Sequence, residues 1–240
     1  MTVTYDYTGR SVLVTGGTRG LGLGVARAFA RAGAEVTVCA RRPPERDEFR
    51  FVPADVREPA DVERLVAAFD RLDVVVNNAG GSPYAPLEGT SPRLHARVIE
   101  LNLTAPLLVA QYARPLLAAA RGAVVMVGSV SGTRPSPGTS AYGAAKAGLH
   151  HLARCLAAEW APEVRVNTVV VGLAATESAA DHYGGAGGGL GAAIPAGRPA
   201  GPEDVARACL WLAAPGYVTG AEVRVDGGGE IPLWRGLAQE

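Results

Sequence analysis

Seven short, mostly apolar runs alternate with longer segments rich in alanine and leucine, and this alternation constrains the fold more than any other feature of the chain. The predicted strands are 11–15, 35–40, 50–54, 73–77, 123–128, 164–170 and 221–226, and the predicted helices are 20–32, 59–70, 91–119, 140–160 and 202–213. Most of the strand runs lack the polar–apolar alternation of a half-exposed sheet, so we expect both of their faces to be buried. This pattern predicts an α/β fold with a parallel sheet and helices on both sides.

Two segments depart from this alternation of strands and helices. Residues 41–49 are short for a crossover helix and contain Pro43 and Pro44, which resist helix formation. Residues 172–200 include a glycine-rich run, and we interpret them as a mobile substrate lid, with a slack surface connection as the alternative. No segment has the composition of a domain linker, so residues 1–240 are predicted to form a single domain.

The charge balance and the cysteines exclude several classes of protein. Lys plus Arg and Asp plus Glu number 23 each, so the chain has no net charge to attract nucleic acid or an acidic membrane. The three cysteines are scattered, which fits a reducing compartment, and none pairs with histidine at metal-ligand spacing. No signal peptide is evident and no apolar stretch reaches the roughly 18 residues of a membrane helix. We therefore expect a cytoplasmic protein without a metal site.

A glycine-rich turn follows the first predicted strand. The segment VLVTGGTRGLG places Gly16, Gly20 and Gly22 between that strand and the first helix. Glycines there allow a tight turn and close approach of the backbone to a pyrophosphate, which the free N–H groups of the helix N-terminus would bind. An ordinary turn is the alternative, and the position of the glycines in the first strand–turn–helix unit favours the dinucleotide site.

The residues after the second strand favour NADP(H) over NAD(H). A carboxylate at this point would bind both hydroxyls of the adenosine ribose, but the strand ends in Ala40, Arg41 and Arg42. Arg41, together with Arg19 in the glycine-rich turn, can instead bind a 2′-phosphate through charge-assisted hydrogen bonds. Each arginine taken alone would be an ordinary solvated side chain.

Tyr142 and Lys146 lie four residues apart in the predicted helix 140–160, so they share one face. A free tyrosine has a pKa of about 10 and is a slow acid–base group at neutral pH. A neighbouring ammonium favours the phenolate, which makes proton transfer to a substrate oxygen feasible. The alternative is a partly buried aromatic residue with a lysine extended beside it.

In their order along the chain, the glycine-rich turn, NNAG at 77–80, Ser129 and the Tyr142/Lys146 pair resemble the short-chain dehydrogenase/reductase superfamily in its single-domain form. The resemblance covers nearly the whole chain. It implies a doubly wound Rossmann fold, with a seven-stranded parallel sheet flanked by helices on both faces. It also implies hydride transfer between NAD(P) and a carbonyl or alcohol.

The resemblance also implies roles for individual residues. The catalytic residues would be Asn102, Ser129, Tyr142 and Lys146, with Ser131 as a fallback for Ser129. Lys146 would also bind the nicotinamide ribose, and Asn102 would anchor a water that resupplies protons. The cofactor would contact Gly16, Thr18, Arg19, Gly20, Leu21, Gly22, Arg41, Asp55, Val56, Asn78, Ala79, Gly80, Tyr142, Lys146, Ala174 and Thr176.

The sequence departs from the pattern of this superfamily in two places. Val171 stands where a proline usually precedes Gly172, which frees φ and restores an N–H, so nicotinamide placement is less constrained there. The second departure is the short 41–49 crossover, which bears on the surroundings of Arg41.

Three functions are compatible with these residues. We predict an NADP(H)-dependent ketoreductase, similar to a 3-oxoacyl reductase, acting on a small carbonyl or alcohol substrate. A non-catalytic NADP(H)-binding sensor or scaffold is the alternative, and a dehydratase or epimerase is a third. The nearly uncharged lid favours a neutral or apolar substrate, and the resemblance suggests a homo-oligomer, a tetramer or a dimer.

Other histidines and aromatic residues receive simpler interpretations. His150 and His151 are adjacent in one helix and cannot share a face, so we predict a surface role for them rather than catalysis. His182 and Tyr183 lie in the lid and are candidates for substrate contact, as is Trp234 in the tail.

Overall fold

The centre of the protein is a seven-stranded parallel sheet with the strand order β3-β2-β1-β4-β5-β6-β7. A computed structural model describes residues 3–175 and 190–229. The strands are β1 (Ser11–Thr15), β2 (Glu35–Ala40), β3 (Arg50–Pro53), β4 (Val74–Asn77), β5 (Ala123–Ser129), β6 (Arg165–Val171) and β7 (Glu222–Val225). Every neighbouring pair is parallel, which confirms the predicted sheet.

Helices cover both faces of this sheet. They are α1 (Gly20–Arg31), α2 (Pro59–Ala67), α3 (Pro92–Ile99), α4 (Ala105–Ala120), α5 (Ser140–Trp160) and α6 (Pro202–Ala213). Leu13 and Leu149 belong to the buried cluster on one face, and Val12, Phe29 and Leu212 to the cluster on the other. Adjacent residues of β1 thus point into different cores, which explains why its sequence does not alternate. The doubly wound fold is confirmed.

The strand order reverses beside β1, and this reversal determines where a ligand can bind. The neighbours of β1 are β2 on one side and β4 on the other, so the loops that follow β1 and β4 leave the sheet in different directions. In open α/β sheets the crevice at such a switch point, outside the carboxyl ends of the strands, is the usual ligand site. The glycine-rich turn and residues 78–80 lie at this edge.

The predicted helix 91–119 is interrupted, which is a correction to the sequence-based prediction. A π-helical turn, Glu100–Thr104, separates α3 from α4. Pro106, the second residue of α4, has no N–H to donate to the carbonyl of Asn102 four residues earlier, so one α-helical hydrogen bond is missing at this junction. The wider turn places Asn102 in the interior, with no exposed surface.

The segment between β2 and β3 contains no helix, as its length and prolines predicted, and all of residues 41–49 are described. Glu48 in this segment pairs with Arg27 of α1, which ties the crossover to the body of the domain.

Two predictions extend beyond the described part of the chain. Residues 176–189 of the predicted lid lie outside it, and so do Thr176, His182, Tyr183 and Trp234. Among the helices that the structure describes, none combines the length and apolar character that crossing a bilayer requires.

Candidate active site

The glycine-rich turn between β1 and α1 has a geometry that only glycine allows. Gly16 and Gly20 adopt φ values of +63° and +55°, in the left-handed region that L-residues rarely enter. A Cβ added to Gly22 would overlap the carbonyl oxygen of Gly16 and the side-chain amide of Asn78. The turn therefore presents bare backbone at the switch point.

Asn78 attaches this turn to the end of β4. Its Nδ2 donates to the carbonyl oxygens of Thr15 (2.9 Å) and Gly16 (3.1 Å). In return, the Thr15 hydroxyl accepts from the backbone N–H groups of Asn78 and Ala79, each at 3.0 Å. Sequence reasoning placed Asn78 and Ala79 beside a cofactor but missed Thr15, whose signal was a polar residue ending an otherwise apolar strand.

The turn has the chemistry to hold a dinucleotide phosphate. Arg19, the residue before α1, makes no side-chain capping bond, and the first turn of α1 contains no acidic residue. The positive end of the helix is therefore not neutralised locally by a carboxylate. The bare glycine backbone beside it allows an anion to approach closely. The residues present thus fit a pyrophosphate.

A cleft of about 250 Å³ lies beyond this turn, beside the ends of β2 and β3. Its lining residues are Arg41, Pro53, Ala54, Asp55, Asp61 and Arg64. Its two carboxylates are already paired, Asp55 with Arg57 and Asp61 with Arg64. The hydrogen bonds from Arg57 hold the pKa of Asp55 below its usual range. Arg41 is exposed at the rim, where sequence reasoning placed a phosphate contact.

Val56, the neighbour of Asp55, is mostly a core residue. Its side chain is 7% exposed and belongs to the buried cluster that contains Leu13 and Leu149. Any contact that Val56 makes with an adenine therefore involves its backbone or the edge of its side chain.

Lys146 and Tyr142 lie together on the face of α5 that turns towards the sheet. The Lys146 ammonium lies 5.6 Å from the centre of the Tyr142 ring, within the range of a cation–π contact. Its Nζ also donates to the carbonyl oxygen of Val127 at 2.8 Å. Burial of this side chain, which is 4% exposed, lowers the pKa of Lys146 to about 8. The i, i+4 spacing thus produces the predicted juxtaposition.

Asn102 is brought to Lys146 by the π-helical turn. A Cβ on Gly80 would lie 2.7 Å from Asn102 Oδ1 and 3.4 Å from Lys146 Nζ, so only a glycine backbone fits between the two side chains. Asn102 Oδ1 accepts from the N–H of Gly81 (2.9 Å), and its Nδ2 donates to the carbonyls of Gly81 (2.8 Å) and Val98 (2.9 Å). Asn102 therefore joins the loop after β4 to the helix that follows it.

These three bonds make Asn102 a stability determinant as well as a site residue. We expect Asn102→Ala to lower the free energy of unfolding by about 2–3 kcal/mol, because buried partners lose their hydrogen bonds. Urea unfolding measures this change. Gln111→Ala, an exposed amide on α4, is the matched control and should stay within about 0.5 kcal/mol. A loss of less than about 1 kcal/mol for Asn102→Ala would contradict this expectation.

Ser129 ends β5 with its side chain 9% exposed. Its Oγ accepts from the N–H of Ser131 at 3.2 Å, which leaves the hydroxyl proton of Ser129 available for another acceptor. Ser131, the fallback candidate, instead has its own hydroxyl 3.2 Å from that of Ser136. Ser129 is therefore the better oriented of the two serines for binding a substrate oxygen.

His150 is not a surface residue, and the prediction for it was wrong. It is 3% exposed, whereas the neighbouring His151 is exposed. His150 follows Lys146 by four residues, so it shares the sheet-facing side of α5 with that lysine. The i, i+4 spacing was the signal available in the sequence. The ring lies beside the end of β5, where the backbone N–H of Ser129 donates to its Nε2 at 3.3 Å.

The residues that follow β6 include Ala174, which the sequence predicts as a cofactor contact. Val171 is the last residue of the strand, in register with Ser129 and Val225, so the residue that replaces the usual proline lies inside the sheet. Ala174 forms a single parallel bridge with Ala200 and is 8% exposed.

The chain matches known oxidoreductases along most of its length. A family model described as enoyl-(acyl carrier protein) reductase matches residues 16–230. The 3-oxoacyl-(acyl-carrier-protein) reductase FabG of Chlamydia trachomatis is 33% identical over 239 residues, which cover 91% of this chain and 96% of the relative. The cis-4-hydroxycyclohexanecarboxylate dehydrogenase of Sinomonas cyclohexanicum is 37% identical over 238 residues, with coverage of 91% and 96%.

Solved structures of other proteins also superpose on this chain along most of its length. A short chain dehydrogenase/reductase family protein superposes with a TM-score of 0.85 at 35% identity, covering 93% of this chain and 98% of the other. The RhlG/NADP active-site complex of Pseudomonas aeruginosa superposes with a TM-score of 0.85 at 32% identity, covering 95% and 99%.

Proposed function

The chain belongs to the short-chain dehydrogenase/reductase superfamily, and from that premise we propose an NADP(H)-dependent ketoreductase with Tyr142 as its general acid and base. The observation that carries this proposal is the buried Lys146 ammonium beside the Tyr142 ring. Burying an ammonium costs free energy, and an ammonium in this position favours the phenolate form of the neighbouring tyrosine.

Each residue of the site has a distinct part in the proposed reduction. A nicotinamide, when bound, would supply the hydride. Tyr142 donates a proton to the substrate oxygen, and the Ser129 hydroxyl donates a hydrogen bond to the same atom. Lys146 would hold the ribose of the nicotinamide. Both amide hydrogens of Asn102 are committed to protein carbonyls, so a water that this residue anchors must be bound by one of its oxygen atoms.

The preference for NADP(H) rests on charge at the far end of the site. β2 ends in Ala40 rather than a carboxylate, and the carboxylates of the neighbouring cleft are neutralised by Arg57 and Arg64. Arg41 and Arg19 are exposed on the two loops that a 2′-phosphate would contact. The solved structure of RhlG in complex with NADP supports this assignment, because RhlG is similar to this chain.

Arg41→Asp is expected to weaken NADPH binding by roughly 10- to 100-fold while changing NADH binding by about threefold or less, because only NADPH carries the 2′-phosphate. Titration of the reduced cofactor's fluorescence measures both affinities. Arg42→Asp, the adjacent exposed arginine, is the matched control and should affect both cofactors weakly. Equal losses for NADPH and NADH in Arg41→Asp would show that this side chain does not contact the 2′-phosphate.

For the substrate we propose a neutral or apolar ketone of the 3-oxoacyl type. The relatives named as 3-oxoacyl reductases support this class. Exposed Tyr84 and Leu87 lie in the loop after β4, and Ala85 N–H donates to the carbonyl of Gly138 in the loop before α5. These exposed apolar side chains suit contact with an acyl chain better than with a charged group.

A substrate panel tests the proposed activity directly. NADPH oxidation should be observed with β-ketoacyl thioesters and more weakly with small ketones that lack the acyl chain. The absence of oxidation with every ketone of a broad panel would favour the non-catalytic sensor.

A further inference from the structure

The His150 imidazole occupies a slot beside Ser129 that two glycines make possible. A Cβ on Gly128 would overlap His150 Nε2, and a Cβ on Gly132 would lie 3.0 Å from its Cε1. These glycines flank Ser129 and Ser131 at the end of β5 and in the 3₁₀ turn Val130–Gly132. The ring is therefore in close contact with the backbone on both sides of the proposed catalytic serine.

The hydrogen bond from the Ser129 N–H to Nε2 defines the state of this ring. A nitrogen that accepts a hydrogen bond carries no proton, so His150 is neutral with its proton on Nδ1. Nδ1 points towards Glu222 of β7, whose Oε2 lies 3.6 Å away. Glu222 is in turn paired with Arg154, which lies four residues after His150 on α5. At this distance the carboxylate acts on the ring through its charge, which favours the tautomer with the proton on Nδ1.

The charged groups around His150 act in opposite directions. Glu222 favours protonation of the ring, whereas Lys146 and Arg154 from α5 and Arg224 from β7 disfavour it. Burial is the largest effect and holds the pKa of His150 below its ordinary value. The neutral ring therefore persists at pH 7.

We propose that His150 is a positioning residue for Ser129: its neutral imidazole, wedged between Gly128 and Gly132, accepts the Ser129 N–H and holds the serine hydroxyl in its reactive orientation. The proposal rests on the function proposed above, since it assigns His150 a role in the same site. Protonation of Nε2 replaces an acceptor with a donor facing the Ser129 N–H. Acidification then disturbs the position of Ser129, and it acts on Lys146 through the repulsion between the two positive charges.

Two substitutions separate positioning from simple packing. Glutamine can place Oε1 near the position of Nε2 and does not titrate, whereas methionine fills space without this strong acceptor. We expect His150→Met to lower kcat about five- to tenfold with unchanged NADPH affinity. In His150→Gln we expect kcat at pH 7 to stay within about twofold of wild type. Wild-type kcat should decline as the pH falls below the ordinary histidine pKa of about 6.5, and this decline should be absent from His150→Gln. His151→Gln, the exposed neighbour, should retain the wild-type profile.

A packing role predicts a different result. Both His150 variants would lose stability, and the shape of the pH profile would be the same in wild type and His150→Gln. That outcome overturns the proposal.

NMR tests the contact between His150 and Ser129 without any measurement of turnover. In ¹⁵N-labelled wild-type protein we expect His150 Nε2 to be unprotonated at pH 7 and the Ser129 amide signal to shift as this ring titrates. A protonated Nε2, or a Ser129 amide that does not respond, overturns the proposal even if no substrate is found. Failure of the substrate panel with these signals present would instead count against the ketoreductase and leave the His150–Ser129 coupling established.

Discussion

Tyr142→Phe is expected to lower kcat by about 10³-fold, because it removes the proposed proton donor and leaves the rest of the site in place. The ring still packs beside Lys146, so the fold and the cofactor end of the site should be preserved. NADPH affinity should therefore stay within about twofold of wild type. Steady-state kinetics with a ketone substrate and fluorescence titration with NADPH measure the two quantities.

The same variant distinguishes an enzyme from a sensor on the same fold. A sensor would retain its ligand response when Tyr142 becomes Phe, since binding a dinucleotide does not require a phenol. Tyr217→Phe is the matched control, because Tyr217 is fully exposed on the loop before β7 and should have wild-type kinetics. If Tyr142→Phe retained more than about a tenth of wild-type kcat, Tyr142 would not be the general acid.

Lys146→Met is expected to lower kcat by about 10²-fold or more, for a different reason than Tyr142→Phe. It should also weaken NADPH binding. It removes the ammonium beside the phenol and the proposed contact with the nicotinamide ribose. Weaker cofactor binding separates this variant from Tyr142→Phe. An unchanged NADPH affinity would contradict the ribose contact and leave only the effect on the phenol.

The Lys146→Met substitution should preserve or raise the free energy of unfolding although it lowers kcat. Burial lowers the pKa of Lys146 from 10.5 to about 8 in the folded state. At pH 7 the buried charge therefore costs about 3 kcal/mol, which is partly offset by the hydrogen bond to Val127. We expect the free energy of unfolding of Lys146→Met at pH 7 to lie between the wild-type value and about 1 kcal/mol above it.

The dependence of this difference on pH has a definite sign. The unfolded chain holds the Lys146 proton up to about pH 10.5, whereas the folded protein releases it near pH 8. Wild-type stability should therefore rise relative to Lys146→Met as the pH increases through this window. Urea unfolding of both proteins without cofactor at pH 7 and pH 10 tests the trend. A difference that does not change with pH would show that the ammonium is solvated in the folded state.

The sequence offers an unusually direct check of this pKa. Lys146 is the only lysine in the chain, and every other basic side chain apart from the histidines is an arginine. A protein labelled with ¹³C at lysine Cε should give one side-chain resonance, whose titration reports the pKa without assignment. An arginine at this position would stay charged at any ordinary pH and would be a larger group to bury.

Much of the fold was predictable because its signals are local. The seven strands were found within one or two residues of their observed bounds, since apolar runs between turn residues are short-range patterns. The glycine-rich turn was equally evident, because positive φ at Gly16 and Gly20 demands glycine. The break in the predicted helix 91–119 was missed, although Pro106 lies in the interior of that segment, where a proline removes a helical hydrogen bond.

The sequence by itself determined the doubly wound sheet and the pairing of Tyr142 with Lys146, since residues four apart on a helix must be neighbours wherever that helix packs. Only the tertiary structure decided that Asn102 meets Lys146 across Gly80, and that His150 is wedged against Ser129 while His151 is exposed. Those contacts join segments that are 21 to 72 residues apart in the chain, the largest separation being that of His150 and Glu222 of β7. No local pattern encodes such distances, because they arise from the order in which parallel strands assemble and bring their carboxyl ends to one edge.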